Sequence, residues 1–110
     1  MESEFYGYYY ASTDFLANKW DTNEIEQFIL NYEGFEKHGN GNFHFKTSYC
    51  DIQLMNVKSY ESCSSEDYSR DETNYISFTT SKHLSSEIIK FFRKFEIFLG
   101  WHICEETDNQ

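Results

Sequence analysis

The chain has no proline and only two alanines among its 110 residues. Without proline, its turns must come from glycine, asparagine and serine. It also lacks long apolar runs: no stretch approaches the roughly 18 residues that a membrane-spanning helix requires. Acids and tyrosines stand near the start, where a signal peptide needs bases followed by an apolar core, so export by that route is not expected. The cysteines are three, Cys50, Cys63 and Cys104, with no C-x-x-C pair. An odd number without metal spacing points to free thiols in a reducing cytoplasm. The patterns G-x-S-x-G and H-E-x-x-H, the phosphate-binding loop and the dinucleotide fingerprint are all missing. Gly39-x-Gly41 has no strand-to-helix context for holding phosphate and reads as a turn. His38, His44, His83 and His102 do not fall at structural-zinc spacings, although His102-x-Cys104 would share one face of a strand. The sequence therefore predicts no enzyme, no metal and no cofactor.

What the chain has is aromatic mass. Eleven Phe, nine Tyr and two Trp make up 20% of it. Each ring buries a large area, so few residues suffice for a core. The composition is far from that of a disordered chain, and the length suits one α+β domain over residues 1–110. Phe, Tyr, Met, Ile, Asn and Lys far outnumber Gly, Ala, Arg and Pro. That is the codon balance of an AT-rich genome, which points to a bacterium or its phage.

The stretch Leu84–Cys104 organises the fold. At 100° per residue, Leu84, Ile88, Phe91, Phe92, Phe95, Phe98 and Leu99 fall within a sector of about 120°, which predicts an amphipathic helix. Ser85 or Ser86 is placed to cap it, Glu87 suits its positive end, and Gly100 is its stop. Ile89 and Ile97 lie off the stripe and flank Arg93. A short strand follows, with Trp101 and Ile103 alternating with His102 and Cys104.

Upstream, Glu4–Ala11 reads as a strand. Tyr6, Tyr8 and Tyr10 share one face, and Phe5, Gly7, Tyr9 and Ala11 share the other. Gly7 marks an expected close approach of the helix layer. Residues from Ser12 to Trp20 read as a connection. Asp21 and Glu24 have capping-box spacing, with Thr22 a competing cap, before a helix whose stripe is Ile25, Phe28, Ile29 and Tyr32 and whose stop is Gly34. After the turn Gly39–Asn42, Phe43 and Phe45 mark a strand. The apolar phase then flips to Ile52 and Leu54, which predicts a bulge or turn near Thr47–Asp51. Met55 and Val57 revert to odd positions and leave the register there open. Asn74–Thr80 is a further strand. The order strand, helix, two or three strands, helix, strand predicts an antiparallel sheet of four or five strands with two helices on one face, most simply ferredoxin-like βαββαβ.

Charge carries the functional expectation. The net charge is −10, and it is uneven: residues 1–36 hold eight acids and one base, and residues 61–72 hold five acids and one base. Such a chain repels nucleic acid and is drawn to basic proteins. The polar segment from Lys58 to Thr73 reads either as a solvated end or as a recognition loop. Small size, acidity, tyrosine and missing catalytic motifs are jointly typical of proteinaceous inhibitors. The expectation is an acidic, cytoplasmic protein-binding inhibitor, monomeric or homodimeric. It would be an immunity protein of a nuclease-type toxin or a phage anti-defence, anti-CRISPR-type protein, occluding a basic, nucleic-acid-handling partner in the bacterium or phage-infected cell. The anchors would be Tyr6, Tyr8, Tyr10, Tyr60 and Tyr68, with Glu61, Glu66, Asp67, Asp71 and Glu72 steering. The alternative is a ferredoxin-like small-ligand-binding or dimerising regulatory domain.

Overall fold

A computed structural model describes residues 6–12, 19–57 and 68–106. The elements are β1 (Tyr6–Ser12), β2 (Trp20–Asp21), α1 (Thr22–Asn31), β3 (Phe35–Gly39), β4 (Asn42–Phe45), β5 (Cys50–Met55), β6 (Glu72–Thr73), β7 (Tyr75–Ser81), α2 (Ser86–Leu99) and β8 (Ile103–Glu105). The main sheet has six strands in the order β3-β4-β5-β7-β1-β8, and β2 and β6 form a separate two-stranded ribbon. Each pairing is antiparallel. The chain is thus α+β, with six strands in the main sheet where four or five were expected. The strand not expected is β3, which pairs with β4 at the edge of the sheet.

α2 forms for the reasons its periodicity predicts. Ile88, Phe91, Phe92, Phe95 and Leu99 are buried. Ser85 caps it by accepting from the Ile88 N–H, and Gly100 ends it in the left-handed conformation at φ 75°. Its stripe meets the sheet face built from Tyr9, Ala11, Phe78, Ile76, Ile52, Leu54 and Phe43. Phe78 packs edge-on against Phe92 and Phe95, with ring centroids 5.1 and 5.9 Å apart. α1 lies beside α2 rather than over another layer. Phe28 stacks on Phe95 at 5.5 Å and on Phe98 at 4.4 Å, and Tyr32 meets Phe91 edge-on at 4.9 Å.

Several expectations need correction. α1 ends at Asn31 with Tyr32 as its C-cap, three residues before Gly34. Gly34 instead turns the chain at φ 108°, where a Cβ would run into the Phe45 ring. Gly7 is crowded by the neighbouring strand and not by a helix: a Cβ there would lie 3.1 Å from Thr80 Oγ1. Trp101 precedes the last strand and is buried, whereas Ile103 begins it. Trp20, expected in a connection, begins the ribbon. Its Nε1–H donates to the Leu99 carbonyl at 3.0 Å and its ring stacks on Phe98, so it covers the end of α2.

The phase flip between β4 and β5 has a simple cause. The turn 46–49 reverses the chain, so odd residues face the helices on β4 and even ones do so on β5. Met55 does not mark a register shift. It pairs with Tyr75 on the opposite sheet face and is buried there with Val57 and Tyr75, against Tyr10. At the base of the 58–73 segment, the buried Asn74 side chain accepts from the Val57 N–H at 2.8 Å and donates to the Val57 carbonyl at 2.9 Å. No described helix is long and apolar enough to cross a membrane.

Candidate functional site: the outer face of the sheet

Side chains alternate across a strand, so the residues facing away from the helices form a second surface. Among the described residues, neither helix covers it. The register arranges it in transverse rows. One row runs Tyr8, Thr79, Asp51, His44, Glu36 across five strands. At the usual strand spacing it spans about 19 Å. The row beside it runs Cys104, Tyr10, Ser77, Gln53, Asn42. Beyond the first row, on its other side, Tyr6 pairs with Ser81.

At one end of this face the side chains lock together. The Asp51 carboxylate accepts from His44 Nδ1–H at 2.5 Å through Oδ1 and from the Tyr49 hydroxyl at 2.9 Å through Oδ2. His38 Nε2–H donates to Glu36 Oε1 at 2.9 Å. The imidazole must donate in both pairs, because an ionised carboxylate has no proton to give. The rings touch in sequence: Tyr6 to Tyr49 at 5.4 Å, Tyr49 to His44 at 5.7 Å, and His44 to His38 at 5.0 Å. Lys46 Nζ stands 3.9 Å from Glu36 Oε2 at the margin.

The titration behaviour follows from these contacts. The hydrogen bond to Asp51 pushes the Tyr49 phenol up to about 12, helped by burial and by the nearby charges of Asp51, Tyr6 and Tyr8. The hydrogen bond from His38 holds the Glu36 carboxyl below its ordinary value. Burial, with Asp51 behind it, pushes the Cys50 thiol up to about 12, so this cysteine is a core residue and not a nucleophile.

The expected site residues divide between two places. Tyr6 and Tyr8 are exposed on the outer face, at 45% and 43%, joined by Tyr49 at 37%. Tyr10 is half-buried and stacks on Tyr75 at the other end of the face, about 13 Å along the strand from Tyr6. Asp71 and Glu72 are exposed at the β2–β6 ribbon, where Glu72 sits directly opposite Asp21. Tyr68 is half-buried, and its hydroxyl donates to Glu26 Oε2 at 3.0 Å. Tyr60, Glu61, Glu66 and Asp67 lie outside the described residues. Glu26, off the predicted α1 stripe, is buried all the same, held by Tyr68 and by Lys37 Nζ at 3.2 Å.

Sequence reasoning missed Tyr49, Asp51, His44, His38 and Glu36 as a unit. Their one advance signal was the predicted turn near Thr47–Asp51, which folds β5 back on β4 and sets Asp51 against His44. His102 and Cys104 are both exposed, and no group of three or more potential metal ligands converges among the described residues. No protein-family model, no curated protein and no solved structure matches this chain.

Proposed function

We propose that the protein is a small acidic binding module that occludes a basic, nucleic-acid-handling protein, without catalysis of its own. The observation that carries this reading is a sheet face that neither helix covers, with exposed Tyr6, Tyr8 and Tyr49, on a chain of net charge −10. Tyrosine offers rigid contact area with a polar tip, the chemistry of protein-contact surfaces. The acidic ribbon adds long-range attraction. Asp21 and Glu72 oppose each other across β2 and β6, which gathers negative charge that would attract a basic partner. An immunity protein for a nuclease toxin and a phage anti-defence protein both fit this chemistry, and both roles would be played in the cytoplasm.

The inner strand order β8-β1-β7-β5, with α1 following β1 and α2 following β7, supports a ferredoxin-like reading in which β3 and β4 are an appended hairpin. That scaffold also suits the second reading, a regulatory domain that dimerises by pairing its open sheet faces. Light scattering separates the two: a monomer leaves the face free for a partner.

The direct test is capture from an extract of the cells that carry the gene. The immobilised protein should retain a basic protein whose nuclease activity falls on binding. Retention should weaken with added salt and with the double substitution Asp71→Lys, Glu72→Lys. Retention of no basic protein, or retention indifferent to salt and charge reversal, would remove the reading.

A further inference from the structure

The ring-and-carboxylate network on the outer face has a more definite chemistry than general stickiness. Tyr6, Tyr49, His44 and His38 form a continuous line of ring contacts on the outer face. The two carboxylates within it, Asp51 and Glu36, are already oriented by hydrogen bonds from His44, Tyr49 and His38. Each oxygen keeps a second lone pair, since a carboxylate has about four acceptor positions. Orientation before binding lowers the entropy that a partner's contact must overcome.

We propose that this network is an arginine-binding site: a partner's guanidinium lies over the Tyr49 ring, beside Tyr6, and donates to the outer lone pairs of Asp51. The proposal rests on the reading of the protein as a binder of basic partners, and it names the group recognised. Three features select the ligand. The carboxylates favour a cation and oppose phosphate. The exposed Tyr49 ring favours a planar cation that stacks, which guanidinium does and ammonium does less well. The acceptors at Asp51 suit a donor fork with fixed geometry. Lys46 partly offsets Glu36, which leaves Asp51 as the main acceptor, since no lysine or arginine forms an ion pair with it among the described residues. Thr79 and Tyr8, next in the same row, provide hydroxyls on the far side of Asp51.

The test uses a capped triarginine peptide as probe, with triornithine and tricitrulline peptides as controls, followed by amide and aromatic NMR shifts of the whole chain. The arginine peptide should bind saturably and move signals of Tyr6, Tyr8, His44, Tyr49 and Asp51. Ornithine should bind more weakly and citrulline not at all. Asp51→Asn removes the charge and keeps one acceptor oxygen, which can serve His44, while its amide NH2 takes the place of the oxygen that accepts from Tyr49. It should weaken binding about tenfold while the amide signals of the helix-side core keep their native positions, which shows that the fold is retained. Shifts centred on Asp21, Asp71 and Glu72 with the outer face unmoved would overturn the proposal and leave the basic-partner reading intact. The absence of saturable shifts anywhere would overturn it as well, and the capture experiment would then decide the broader reading separately. A homodimer that shields Asp51 in the free protein would also overturn it, because the face would then be taken up by a second copy of the chain.

Discussion

Tyr49 is the residue whose behaviour departs most usefully from the ordinary. Its phenol is held protonated by the Asp51 carboxylate up to about 12, against 10.0 for a free tyrosine. A folded value raised above the unfolded one stabilises the fold at every pH below 10. That contribution declines as the pH climbs from 10 and is gone above 12. Tyrosinate absorbance should therefore show a phase delayed to about pH 12 that disappears in Tyr49→Phe and moves toward 10 in Asp51→Asn. A titration that Asp51→Asn leaves unchanged would show that the two groups are not bonded. Little of this was legible in the sequence. Tyr49 and Asp51 are two apart and His44 is seven before Asp51, spacings that announce nothing by themselves. Only the strand register brings them together, and the register depends on where the turn 46–49 closes.

Elements were legible in proportion to their length and periodicity. α2 carries four turns of consistent pattern, so its buried face, a cap at Ser85 or Ser86 and its stop at Gly100 all follow from the order of residues, and the structure selects Ser85. β1 alternates cleanly, and its two faces came out as expected for the described Tyr6 to Ala11. β3 did not announce itself, because FEKHG at an edge buries Phe35 alone and shows no alternation. β2 and β6 are two residues each and carry no periodic signal at all. The two sides of α2 give a paired prediction. Phe95 is fully buried among Phe28, Phe78, Phe91 and Phe98, so Phe95→Ala should cost about 3–5 kcal/mol in denaturant unfolding. Ile97 is 83% exposed, so Ile97→Lys should stay within about 0.5 kcal/mol of the parent. A large loss at Ile97 would mean that this outer side of the helix is covered by something else, and with Ile89 it would become a second contact surface.

For the molecule as a whole, the two helices share one face of the sheet and leave the other to tyrosines, hydroxyls, imidazoles and carboxylates. Overall composition led to the expectation of an acidic binder with aromatic contact area, but it could not separate the two surfaces. The acidic ribbon of Asp21, Asp71 and Glu72 is suited to attraction at a distance. The outer face is suited to close contact. Charge reversal on the ribbon should therefore slow association with a basic partner and flatten its salt dependence, while loss of rings from the face should speed dissociation. The measurement that bears most directly on this account is the dissociation constant of the captured partner for the triple variant Tyr6→Ala, Tyr8→Ala, Tyr49→Ala, set beside Ile89→Ala, Ile97→Ala. If the outer face is the contact surface, the tyrosine variant binds at least about a hundredfold more weakly while the isoleucine variant binds like the parent. If the tyrosine variant binds like the parent and the isoleucine variant fails, the partner sits on α2 and the account is wrong.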